Sequence, residues 1–297
     1  MNAKAAAGFA ARYCGKLTRV SRSNFYVSFL FLPKKKRDAI HAVYAFCRVV
    51  DDSVDKAADV EARTKQLERW KRYLEDAYRG RAVHPVMIQL IRTIAAFGLP
   101  KEYFEKLIEG VAMDLTQTRY ETFEEVRNYC YRVASVVGLI CIKIFGYENP
   151  KTPQYAENLG MALQWTNILR DLGKDAKMGR IYLPREDLRK FGVTEDDILQ
   201  GRLSDKYRTL MDFQAQRAES YYREAEALWD PADLRTMFPA EIMKAVYQRL
   251  LAKIRARHFD VYTQEIALPG LLKLAIACKI YLSARFFPLP QRGRGPG

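Results

Sequence analysis

Asn167, Asp171 and Asp175 recur at four-residue intervals, and Gln164 stands three residues ahead of them. On a helix that spacing stacks the four side chains into one stripe. The residues around the stripe, Ala162, Leu163, Trp165, Ile168, Leu169 and Leu172, are apolar. Carboxylates set among apolar side chains require paired cations or a metal, because an isolated buried charge is too costly. The local cations, Arg170 and Lys174, fall mostly off the stripe. A divalent ion that takes oxygen ligands is the natural partner, Mg²⁺ first and Mn²⁺ as its substitute.

A second stretch answers the first. Tyr44 to Asp55 reads YAFCRVVDDSVD and carries Tyr44, Arg48, Asp51 or Asp52, and Asp55 along another helical stripe. Asp52 points about 100° away from Asp51 around the helix axis, so Asp51 pairs with Asp55. A lone Asp-x-x-x-Asp usually marks a solvated helix face. Two copies, each among apolar residues with Arg48 or Arg170 within a turn, point to chemistry instead. Carboxylate pairs facing each other across a bundle can hold metal ions that clamp a diphosphate, with Arg48, Arg170 and Arg180 binding its oxygens directly.

The elements that must position these groups read almost entirely as helices, with apolar residues at three- and four-residue spacing. Ala3 to Leu17 is a first helix, followed by a polar turn over Thr18 to Asn24. Phe25 to Leu32 carries aromatics up to Pro33, which starts a helix through the first aspartate pair to about Lys56. Further helices are expected over Glu61–Arg79, Val86–Phe97 and Glu102–Leu115. Thr122 and Glu125 form a capping box that opens a helix to about Phe145. Its small residues Ala134, Ser135 and Gly138 allow close approach by a neighbouring helix or a ligand chain. Tyr155–Ala176 carries the second aspartate pair, and Gly179 to Pro184 is a loop. Thr194 starts a short helix, and longer ones follow over Asp205–Trp229, Pro239–Phe259 and Pro269–Phe286. No repeat or linker divides the chain, so the expectation is one all-α domain over residues 1–290 and a basic flexible tail over 291–297.

At this level the sequence resembles the squalene/phytoene synthases, which join two isoprenyl diphosphates head to head. The matching pieces are FYVSFLFLP at 25–33, YAFCRVVDDSVD at 44–55, YCYRVASVVG at 129–138 and NILRDLGKDAKMGRIYLP at 167–184. They stand in the family's order and span roughly residues 20 to 260. The wording is most similar to bacterial presqualene diphosphate synthases of hopanoid pathways. The resemblance implies an α-helical isoprenoid synthase bundle around a central cavity. It implies that Asp51, Asp55, Asp171 and Asp175 bind Mg²⁺ and diphosphate, with Asn167 among the metal ligands and Gln164 supporting it. Arg48 and Tyr44 match residues beside the first diphosphate. Phe25 and Phe29 match pocket positions, and Val133, Val137 and Leu163 are expected to line the same channel. Tyr129, Tyr182 and Tyr247 could line it too, although an aromatic at helical spacing is more often plain core. The expected product is presqualene diphosphate from two farnesyl diphosphates, made without NADPH. The base that removes the proton is either the departed diphosphate or a tyrosine such as Tyr44.

Composition fits that expectation. The formal net charge is +14 and 49% of the residues are hydrophobic. No nucleic-acid-binding motif accompanies the charge, so anionic substrates and an anionic membrane surface account for it better. The five cysteines and three histidines are dispersed, without the spacing of a disulfide framework or a zinc site. That usage suits a reducing cytosol. Leu271 to Leu289 is broken by Lys273, Lys279 and Arg285, too charged to span a bilayer but suited to lying on one, with Arg292 and Arg294 adding attraction. Monomer and homodimer both stay open.

Other readings make different demands. A phytoene synthase would take geranylgeranyl diphosphate, and a dehydrosqualene synthase is the other alternative within the class. A non-catalytic assembly factor of this fold would be expected to lose metal carboxylates, and all four are present. A basic nucleic-acid binder would be retained on DNA or RNA in a salt-sensitive way.

Overall fold

A computed structural model describes residues 3–20, 25–55 and 59–286. Fourteen α-helices are described, and no strand occurs among these residues. The first six are α1 (Ala3–Val20), α2 (Tyr26–Phe29), α3 (Lys34–Asp55), α4 (Val60–Tyr78), α5 (Pro85–Phe97) and α6 (Lys101–Met113). A bent rod follows: α7 (Phe123–Cys130), a π-helical turn (Tyr131–Ser135) and α8 (Val136–Phe145). The rest are α9 (Thr152–Lys177), α10 (Arg185–Phe191), α11 (Glu195–Leu199), α12 (Asp205–Ala227), α13 (Leu234–Ala256) and α14 (Gly270–Phe286).

Two long helices, α3 and α9, organise the packing. α1, α4, α5 and α6 wrap α3, while α9 packs against the α7–π–α8 rod, α12 and α13. The rod touches both groups, through α3 and α6 on one side and α9 on the other. Buried apolar side chains from Cys14 to Ala284 form one connected cluster around them. Small residues decide how closely the rod and α9 approach. A Cβ on Gly160 would stand 2.7 Å from the Ser135 Cα, and one on Gly138 would stand 2.8 Å from the Ala156 carbonyl oxygen. The close neighbour expected at Ser135 and Gly138 is therefore a helix.

Helix ends follow local chemistry, with differences from the sequence expectation. The first helix runs on to Val20, because the Thr18 hydroxyl donates to the Cys14 carbonyl at 2.9 Å and is satisfied inside the helix. Residues 21–24 of the expected turn, Lys56 and residues 287–297, including the expected tail, lie outside the described residues. Thr122 caps α7 by accepting from the Glu125 N–H at 3.3 Å, but Glu125 turns its carboxylate to the Glu121 N–H at 2.7 Å. Only half of the expected capping box forms there. Both halves form at Thr194 and Asp197 instead. Pro239 does not start its helix. Asp230 caps a 3₁₀ turn over Pro231–Asp233, the helix begins at Leu234, and Pro239 sits inside it at the loss of one backbone hydrogen bond. The rod Phe123–Phe145 is, among the described residues, the one helical stretch long and apolar enough to cross a membrane, and 50% of that apolar window is buried in the bundle.

Candidate active site

Between α2, α3, the π turn, α8, α9 and α13 lies an apolar cavity of about 280 Å³. Phe25, Phe29, Tyr44, Val133, Val137 and Leu163 all line it, as the sequence suggested. Arg48, Asp51, Gln164 and Asn167 also line it, and they bring the polar end of the cavity with them. Two polar pockets adjoin that end. One, about 670 Å³, is walled by Arg170, Asp171, Lys174, Lys177, Tyr247, Lys273 and the loop around Val261 to Ala267. The other, about 280 Å³, is walled by Asp51, Asp114, Asp171, Asp175, Arg180 and Tyr182. Arg48 and Asn167 border all three spaces.

The second aspartate stripe is built into the middle of the bundle. Leu163, Trp165, Ile168, Leu169 and Leu172 bury one side of α9 and turn Gln164, Asn167, Asp171 and Asp175 toward the pockets. Asn167 donates to Gln164 Oε1 at 3.4 Å, while its own Oδ1 is buried with no hydrogen-bond partner among the described residues. Arg170 lies less far off the stripe than its sequence position suggests. Its Nε donates to Asp171 Oδ1 at 2.8 Å, a second guanidinium nitrogen bonds Oδ2, and the group also hydrogen-bonds Tyr247. The length of the arginine side chain lets it reach back to its neighbour. Asp175 has its carboxyl pushed up to about 7, first by burial and then by the Asp171 charge, against the opposing pull of Lys174 and Arg180.

An orphaned amide oxygen beside two crowded carboxylates fits a divalent ion that takes oxygen ligands. Among the described residues no three His, Cys, Asp or Glu side chains cluster as a metal site. The first aspartate pair contrasts with the second. Asp51 is exposed, and Arg48 Nη2 pairs with Asp52 at 3.0 Å. Asp55 is the last residue of α3, and its side chain lies outside the described residues.

Sequence reasoning missed one acidic group. Asp114 follows the last turn of α6, and its carboxylate accepts from the Tyr182 hydroxyl at 2.7 Å and the Tyr129 hydroxyl at 3.1 Å. The Tyr129 and Tyr182 rings stack with centroids 5.1 Å apart, and Tyr120 packs against both. Burial, with the Asp114 charge second, raises all three phenols well above their ordinary value. The signal in the sequence was slight: one aspartate between Met113 and Leu115, with no partner at helical spacing. Tyr129 and Tyr182 thus flank the acidic pocket, whereas Tyr247 stacks on Phe25 at 5.6 Å beside Arg170.

The sequence profile described as squalene/phytoene synthase matches residues 18–273. The chain is 37% identical over 273 residues to a 15-cis-phytoene synthase of Synechococcus elongatus, covering 88% of this chain and 89% of the relative. It is 36% identical over 288 residues to a phytoene synthase of Arthrospira platensis, covering 92% of each. Among solved structures, the squalene synthase HpnC of Alicyclobacillus acidocaldarius superposes with a TM-score of 0.77 at 33% identity, covering 87% of this chain and 99% of that one. A dehydrosqualene synthase crystallised with a ligand superposes with a TM-score of 0.83 at 27% identity, covering 94% and 98%.

Proposed function

Because the chain belongs to the squalene/phytoene synthase family, we propose that it condenses two farnesyl diphosphates head to head, releasing one diphosphate and one proton and giving presqualene diphosphate. The observation that carries the reading is the junction itself: an apolar cavity whose one end bears Arg48, Asp51, Gln164 and Asn167 and opens onto two polar pockets.

In this reading Asp51, Asp55, Asn167, Asp171 and Asp175 hold Mg²⁺. When bound, the ion supplies the positive charge that makes diphosphate a leaving group. Arg48, Arg170 and Arg180 donate to the diphosphate oxygens, and Gln164 orients Asn167 through their mutual hydrogen bond. Phe25, Phe29, Tyr44, Val133 and Val137 exclude water and hold the two chains side by side. The carbon–oxygen bond of one substrate breaks, and the C2–C3 double bond of the second attacks the resulting allylic cation. Loss of a proton from the donor's C1 closes the cyclopropane, with the departed diphosphate or Tyr44 as acceptor. This step is redox-neutral, so it requires no NADPH. The whole described chain acts as one domain, residues 1–290 by the sequence reading. Exposed Leu271, Leu274, Leu282 and Phe286 on α14, with Lys279 and Arg285 between them, suit peripheral contact with an anionic bilayer.

A second reading, phytoene from two geranylgeranyl diphosphates, is favoured by the names of the relatives. A product assay separates the two. Purified protein, Mg²⁺ and each prenyl diphosphate, with and without NADPH, should yield presqualene diphosphate from the 15-carbon substrate, unchanged by NADPH. Phytoene from the 20-carbon substrate alone would replace the first reading with the second.

A further inference from the structure

We propose that Tyr155 is a bolted floor to the apolar cavity and sets the length of prenyl chain that fits, an inference that rests on the farnesyl reading above. Tyr155 lines the cavity and is 1% exposed. It lies twelve residues before Asn167 on α9, which at 1.5 Å per residue places it about 18 Å from the polar end. An isoprene unit has four backbone carbon–carbon bonds and extends about 5 Å. Three units therefore reach about 15 Å and four reach about 20 Å, so the ring stands between the end of a 15-carbon chain and the end of a 20-carbon chain.

What lies behind the ring makes it a rigid stop. The Tyr155 hydroxyl donates to Glu241 Oε1 at 2.7 Å. Glu241 is held by Lys244 at 2.7 Å, and Lys244, itself only 6% exposed, also pairs with Glu226. Trp229 packs against the Tyr155 ring with centroids 5.3 Å apart and carries the Lys244 ammonium 5.7 Å from its own ring centroid. Swinging the phenol aside would strip a hydrogen bond from a carboxylate that has little water to replace it. α13 supplies both ends of this arrangement, since Tyr247 stands beside Arg170 at the polar pocket while Glu241, nearly two turns earlier, anchors the floor. A pocket that rejects surplus apolar length discriminates by tenfold or more.

The test measures affinities of the 15- and 20-carbon thiolodiphosphates, which bind without reacting, for the Mg²⁺-loaded wild type, Y155V, Y155F and E241Q. The wild type should prefer the 15-carbon analogue at least tenfold. Y155V should reduce that preference at least tenfold, whereas Y155F, which keeps the ring, should shift it less than threefold, with E241Q between them. Cooperative thermal melting shows that each variant is folded. Equal affinity of the wild type for both analogues overturns the floor, and so does an unchanged preference in folded Y155V; should Y155V fail to melt cooperatively, Y155F and E241Q both retaining the full wild-type preference overturn it. Turnover on the natural substrates is read in parallel. An enzyme that turns over neither substrate refutes the proposed function, while the affinity ratio still judges the floor.

Discussion

Asp51 stands near the exposed end of α3, beside an arginine that is occupied by Asp52, whereas Asp171 stands within α9, clamped by its own neighbour Arg170. The spacing of the two motifs is the same and their surroundings are not. On α9 the apolar residues between the carboxylates are buried, so the charges must be balanced inside the fold even before a ligand arrives. On α3, Asp51 is exposed to solvent. The proposed function places both motifs in the site, and the burial around the α9 motif gives it a larger expected share in stability.

The largest effect that bears on this contrast is on turnover, where the two motifs should behave alike. D51N and D171N should each lower kcat by roughly 10²-fold or more in an Mg²⁺-supported assay, as loss of preorganised charge at a leaving group does. Near-normal turnover in D51N would break the idea that the pairs act together. Stability should then separate them. D171N leaves Arg170 half-buried without its carboxylate and should cost ~1–3 kcal/mol in urea unfolding. D51N should stay within about 0.5 kcal/mol of wild type.

The smallest effect concerns pH and Asp175. Its carboxyl is pushed up to about 7, above the ordinary value of 3.8, so the folded state binds a proton that the unfolded state has released. Stability present at low pH is therefore lost as pH rises from about 4 through 7. D175N should flatten that slope in metal-free protein and raise stability above pH 7 by ~1–2 kcal/mol, allowing for solvent screening. Mg²⁺ should stabilise the wild type more at pH 8 than at pH 6, because protons compete for the same oxygens. A pH-independent Mg²⁺ effect would remove Asp175 from the ion's surroundings.

The α9 stripe was legible because helical periodicity and buried chemistry coincide there: one pattern of i, i+4 and i+8 defines both the wall and the groups it presents. The longer helices were legible for the same reason, whereas α2 and α10 are too short to show a stripe. Three features were not. The Arg170–Asp171 clamp joins sequence neighbours, which periodicity places on different faces, and it depends on side-chain length. Asp114 reaches the site from a helix end, where spacing carries no direction. The π turn at Tyr131–Ser135 has no composition of its own, since it arises from packing against α6 and α9. Pro239 misled through a sound rule, because the 3₁₀ turn capped by Asp230 had already set the helix going.

The glycine contacts at Ser135 and Ala156 have a consequence for how such an enzyme changes its substrate range. A side chain at 138 or 160 would drive main chain against main chain, so the wall formed by α8 and the adjoining stretch of α9 is fixed in position. In the proposed function, a change in the chain length accepted then falls to side chains that project into the cavity, such as Phe29, Tyr155 and Met243.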